Sequence, residues 1–201
     1  IYISGPLLLD RFPQLNEQDH QPYEKIELVY ITQAYTWHLD THGHAEQLNC
    51  IAKLCETISQ DYANVFTLTI RVHPRDDKHP YLFLLKKYPI DGKIDTSLPA
   101  QFLHTISRQQ ILISGLSTLA FEWIYLGGIC VFYTSDKLFQ QSQEMFKQLN
   151  ISPYLSEKNM LEDIREKKYT DYREQIEKIF YRHPSTNLMF VVKKINSIIN
   201  D

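Results

Sequence analysis

Hydrophobic and polar positions follow two different rhythms along the first two thirds of the chain. KIELVYIT at 25–32 is a short run rich in Ile, Val and Tyr, and VFTLTIRV at 65–72 alternates until Pro74 stops it; both read as strands. QILIS at 110–114 and ICVFY at 129–133 are apolar runs of strand length. KIDTS at 93–97 reads as another short strand, and IYISG at 1–5 as one that ends in Gly5-Pro6 ahead of a polar loop to Pro22. Between the strands the period becomes helical. Apolar residues at 48, 51, 52, 54, 55 and 58 predict a helix over about 45–62. PYLFLLKKY at 80–88 has room for one or two helical turns, and 99–107 for a short helix. STLAFEWIYLG at 117–127 reads as a helix closed by Gly127-Gly128.

From Asp136 onward the pattern is helical. DKLFQQSQEMFKQLN, EKNMLEDIREKK, YTDYREQIEKIF and STNLMFVVKKINSIIN each fit an amphipathic helix, the last with Ser185 as its N-cap. Strands alternating with helices up to about residue 135 predict a doubly wound, mainly parallel, Rossmann-like α/β sheet over 1–150. Residues 151–201 are expected to form a helical extension packed on it.

Bulk composition narrows this picture. The 201 residues suffice for a sizeable core, and 43% hydrophobic with 22% charged is ordinary for a globular chain. A net charge of −3 argues against general nucleic-acid binding, so any basic feature is local. Cys50, Cys55 and Cys130 lack zinc-site spacing and are odd in number, which predicts buried free thiols and a reducing, cytoplasmic compartment. No run approaches the ~20 apolar residues of a membrane span, and no signal peptide is legible. The chain opens without Met and is expected to be a piece of something longer.

In a parallel sheet, ligands bind at the carboxyl ends of the strands. Gln33 follows the 25–32 strand; His73, Pro74 and Arg75 follow 65–72, with Arg71 just inside it. Ser114, Gly115, Ser117 and Thr118 follow the strand at 110–113, where an apolar strand meets an apolar helix. The first amides of that helix carry about half a positive charge, so with two hydroxyls they can cradle a phosphate; Gly115 permits close approach. An ordinary capped helix is the other reading. Glu122, in an otherwise apolar helix, either reaches a ribose near the turn or faces solvent. His73 either faces a phosphate as proton donor or caps backbone at the strand end. WHLDTHGH at 37–44 brings His38, Asp40, His42 and His44 together but matches no zinc pattern; a loop is the expectation.

These motifs resemble a known group. IRVHPRDD resembles the His-Pro motif after a Rossmann strand in bacterial sialyltransferases. SGLSTLAFEWIYLGGICVFY is similar to the Ser/Thr-rich turn, helix and strand that bind nucleotide phosphate there. YISGPLLLDRF resembles, more loosely, the entry to the C-terminal half of GT-B-type enzymes. Kdo transferases, CDP-glycerol glycerophosphotransferases and UDP-N-acetylglucosamine 2-epimerases look related in the same region, residues 1 to about 150. The resemblance implies that His73 protonates or contacts the departing phosphate and that Ser117 and Thr118 hold it. Glu122 would lie near the ribose, with Arg71, Arg75, Gln33, Ser114 and Gly115 completing a substrate-binding set. It also implies a glycosyltransferase with no metal or other cofactor, a nucleotide-sugar donor and a glycan or lipid-linked acceptor; transfer of a polyol phosphate from a CDP-linked donor, or a non-catalytic interaction module that keeps the fold but not the chemistry, are the alternative readings. The catalytic base would come from an N-terminal GT-B domain preceding Ile1, and the whole protein would work in the cytoplasm, at the inner face of the bacterial inner membrane.

Overall fold

The computed structural model describes residues 25–35, 40–107 and 109–176. The strand expected over IYISG, Thr36, His38, most of the second half of YTDYREQIEKIF, and the helix expected after Ser185 lie outside the described residues.

Five strands carry the fold: β1 (Ile26–Ile31), β2 (Phe66–Arg71), β3 (Gly92–Asp95), β4 (Ile111–Ser114) and β5 (Ile129–Phe132). Their order is β3-β2-β1-β4-β5 and every pairing is parallel. The chain therefore winds outward from β1 to β3, returns, and winds outward again from β4 to β5. The first residues of each half, β1 and β4, lie side by side, which makes the gap between their carboxyl ends the switch point of the sheet.

Helices supply the four crossovers, α1 (Thr41–Asp61), α2 (His79–Lys87), α3 (Pro99–Thr105) and α4 (Thr118–Tyr125), and two more follow β5, α5 (Asp136–Gln148) and α6 (Glu157–Arg165). Strand alternation sorts the core into two layers. Leu28, Tyr30, Leu68, Ile70, Ile113 and Val131 pack with α1, α2 and α6, while Val29, Ile31, Leu112 and Phe132 pack with α3, α4 and α5. Cys50, Cys55 and Cys130 are buried free thiols, as their apolar settings predict. Among the described residues no helix is long and apolar enough to cross a membrane.

One expected boundary is corrected. The helix predicted from about Ala45 begins at Thr41, so His42 and His44 sit in its first turn rather than in a loop. Asp40 caps that turn, its Oδ1 accepting from the Gly43 amide at 2.7 Å. A Cβ on Gly43 would stand 2.4 Å from Asp40 Oδ2 and 2.5 Å from the Tyr35 ring, so only glycine permits this closure. Among the described residues no group of three or more His, Cys, Asp or Glu is placed to hold a metal ion.

α4 is buried on almost every side. Leu119, Ala120, Phe121, Glu122, Trp123 and Ile124 are all buried. Its carboxyl end is fixed by Gly127, at φ 88°, and by the Gly128 amide donating to Trp123 O at 2.9 Å. The Trp123 indole donates to Ile129 O at 3.1 Å and lies against Gly128.

Candidate functional site

All five strands end on one edge, and the amino ends of α1 and α4 return to it. The two differ in how their free amides are used. At α1 the Asp40 carboxylate occupies the cap. At α4 Ser117 occupies the cap position, with extended backbone at φ −127° and ψ 135°, yet its side chain makes no cap bond and the first turn holds no acid. Ser117 O accepts from Ala120 and Phe121 at 3.1 and 3.3 Å, so the outermost turn is well formed. The amides of Thr118 and Leu119 lie before any intrahelical acceptor, the position from which a helix end binds an anion.

His73 lies on the same edge, two strands away, because β1 separates β2 from β4; two strand spacings are about 10 Å. Its amide donates to Thr32 Oγ1 at 2.8 Å, and its carbonyl accepts from the Asp76 amide at 2.8 Å. The ring's Nδ1 accepts from the Arg75 amide at 3.2 Å. Nδ1 therefore carries the lone pair, and the neutral ring's proton is on Nε2, which is a donor. Between His73 and α4, Gln33 leaves β1 and its Nε2 donates to Leu116 O at 2.8 Å. A Cβ on Gly115 would meet that same Nε2 at 2.8 Å, so the turn's glycine makes room for the glutamine.

A hydrogen-bond network that the sequence did not single out holds this edge. The Gln33 amide donates to Gln47 Oε1 at 2.6 Å, and Gln47 Nε2 donates to Tyr81 Oη at 2.9 Å. Tyr81 Oη in turn donates to Asp76 Oδ2 at 2.5 Å. The Asp76 side chain is fully buried, with His44 Nδ1 3.9 Å away. The His73 loop is thus tied to β1, α1 and α2. Asp76 and His44 stand in the quoted motifs, but nothing local marks Gln47 or Tyr81 as their partners.

The remaining predicted residues form the last row of the sheet beneath α4. Register places Asp95, Arg71, Ile31 and Ser114 opposite one another on successive strands. Arg71 is 2% exposed; its Nη2 donates to Ser97 O at 3.0 Å, Nε lies 3.8 Å from Asp95, and the guanidinium covers the Phe102 ring at 4.7 Å. Burial pulls the Arg71 pKa down, and the charges of Asp95 and Glu122 oppose that. Arg71 faces into the sheet–helix layer, whereas Arg75 is half-buried in the His73 loop. Glu122 is 8% exposed, which excludes the solvent-facing alternative; burial raises its pKa to about 7 against the pull of Arg71. Arg71 Nε and Ser114 Oγ are buried without a hydrogen-bond partner among the described residues.

No protein-family model matches the sequence, and no curated protein or solved structure matches it. The chemistry is therefore argued from the site. His73, Gln33, Gly115, Ser117 and Thr118 meet along the open edge; Arg71, Ser114 and Glu122 lie beneath it. The arrangement provides helix amides and hydroxyls for an anion, and a donor imidazole on the same edge.

Proposed function

We propose that this chain is the donor-binding half of a GT-B-type glycosyltransferase. Its donor is a nucleotide-activated sugar, a CMP-linked acidic sugar such as sialic acid, used in capsule or lipopolysaccharide synthesis. The observation that carries the reading is the uncapped amino end of α4 on the same strand-end edge as the His73 imidazole.

The nucleotide phosphate seats on the Thr118 and Leu119 amides with the hydroxyls of Ser117 and Thr118. As the bond to the anomeric carbon breaks, negative charge grows on the departing phosphate. The positive end of α4 and a proton from His73 Nε2 offset that charge. A second GT-B domain supplies the base that activates the acceptor, a glycan or lipid-linked glycan. Cytoplasmic placement at the inner membrane face follows from such acceptors, not from the fold.

Calorimetric titration with CMP, CDP and UDP tests the donor. Preference for CMP is expected. A preference for CDP favours transfer of a polyol phosphate instead, and a preference for UDP removes the CMP-sugar reading. In the full-length protein, His73→Ala is expected to lower transfer by about 100-fold. Survival of activity within about threefold, roughly 0.7 kcal/mol of barrier, denies His73 any catalytic part.

A further inference from the structure

The outer face of α2 combines exposed apolar surface with positive charge. Tyr81, Leu84, Leu85 and Tyr88 turn inward to the core layer shared with α1. The opposite side of a helix of this phase presents His79, Leu82, Phe83, Lys86 and Lys87. Phe83 is 66% exposed, the highest value among the large hydrophobic residues described. Leu82 beside it is half-buried, and His79, Lys86 and Lys87 are exposed. Lys86 and Lys87 stand at the i+3 and i+4 positions from Phe83, so they flank its ring.

The charge on this face is one-sided. The helix, HPYLFLLKK, contains no Asp or Glu. Lys86 and Lys87 meet no carboxylate among the described residues; Lys87 Nζ lies 5.1 Å from the centre of the Tyr88 ring. The two acids nearest along the chain are already engaged. Asp77 Oδ1 lies 2.6 Å from His79 Nδ1, and Asp91 Oδ2 lies 3.6 Å from Lys25 Nζ. In a chain of net charge −3 this is a local positive strip.

Those two properties choose the occupant. A lone exposed ring is ordinary on a protein surface. A ring flanked by unpaired lysines can sink to the acyl boundary of a bilayer while the lysine stems carry their ammonium groups to the phosphates. A second copy of this chain fits poorly, because a twofold contact through the same face would set the lysines of one copy against those of the other. A nucleic acid needs more phosphate contacts than two lysines supply. The face also stands apart from the phosphate seat, since α2 and α4 pack on opposite sides of the sheet. A flat surface laid against α2 therefore does not lie over the amino end of α4.

We infer that the outer face of α2 docks on an anionic phospholipid bilayer, with Phe83 at the headgroup boundary and Lys86 and Lys87 on lipid phosphates. This contact does not depend on the transferase reading; only its purpose, bringing the chain to a lipid-linked acceptor, rests on that reading.

Co-sedimentation of the full chain with vesicles tests the inference, comparing an equal mixture of phosphatidylglycerol and phosphatidylcholine with phosphatidylcholine alone. One ring and two lysines hold weakly, with half-binding on the order of millimolar lipid. Binding to the mixed vesicles is expected, falling as salt rises and lost on phosphatidylcholine alone. Lys86→Gln with Lys87→Gln is expected to weaken it about 25-fold, each lysine near an anionic surface contributing about fivefold. Phe83→Ser is expected to weaken it about tenfold. All three positions are exposed, so the melting temperature is expected to hold in both variants. No binding to the mixed vesicles, or binding that neither variant alters, overturns the inference. Binding to poly-L-glutamate as tight as to the vesicles, and insensitive to Phe83→Ser, assigns the face to an acidic polypeptide and overturns it too. A dimer in solution that Phe83→Ser dissociates gives the face to a second copy, with the same result. Vesicle binding without any CMP binding upholds the surface and removes the CMP-donor reading. CMP binding without vesicle binding does the reverse.

Discussion

α1 and α4 both aim their amino ends at the same edge, and they differ in where the carboxylate nearest that end sits. In α1 the carboxylate is Asp40, at the cap, where it takes the Gly43 amide and cancels the local positive field. In α4 it is Glu122, one turn inside and buried, while the cap position holds Ser117 without a cap bond. The same helix end is therefore closed in one case and open in the other. A nucleotide fold of the dinucleotide type would use the α1 end. In the function proposed here the anion seats instead on α4, one strand over in the sheet and three crossovers later in the chain.

The largest effect that separates the two helices is a pH dependence. Glu122 is held protonated up to about pH 7 in the folded chain, but its ordinary value is 4.5. The folded state therefore keeps the proton between those values while the unfolded state loses it. Stability is greatest at the acid end of that window and falls as pH rises through about 7, by up to about 3 kcal/mol. Glu122→Gln is expected to flatten that fall in urea melts taken from pH 5 to 8; an unchanged slope would show that Glu122 is not the group responsible.

Gly128→Ala removes the support of α4 from its other end. The added Cβ would lie 1.9 Å from the Trp123 indole. A loss of about 2 to 3 kcal/mol is expected by chemical denaturation, in line with overpacking in a filled core. A loss under 0.5 kcal/mol would show that the indole yields. Ser117→Asp makes α4 resemble α1. CMP affinity is expected to fall about 30-fold, roughly 2 kcal/mol, while the melting temperature holds or rises because aspartate is a good cap. Unaltered CMP binding would place the anion elsewhere. The converse change, Asp40→Ala, is expected to cost about 1 kcal/mol of stability and leave CMP affinity within twofold.

Why one helix start was legible and the other was not follows from these residues. The strands and α4 announce themselves because apolar runs end at Pro74 and at Gly127-Gly128, breakers that act locally. The first turn of α1 does not. Thr41, His42, Gly43 and His44 are poor helix formers, and what holds them is the Asp40 carboxylate together with the approach of Tyr35 to Gly43. His73, Ser117 and Thr118 were visible as candidates because strand ends in a parallel sheet share an edge. The burial of Glu122 was open, since an otherwise apolar helix gives no exposed face to assign it to. The Gln33–Gln47–Tyr81–Asp76 network joins four segments whose contact only the crossovers create, and single-residue chemistry does not foretell it.

Past β5 the chain adds one more parallel bridge, Tyr133 to Tyr154, in which the Tyr154 amide donates to Phe132 O at 2.7 Å and Tyr154 O accepts from Thr134 at 3.1 Å. β5 is the outermost strand on its side, and its last peptide groups are thereby taken. A chain cut short before Tyr154 would leave that rim unpaired and strip Met160, Leu161 and Ile164 from the layer they fill. Self-association through β5, rather than simple unfolding, is the failure to look for in such a truncation.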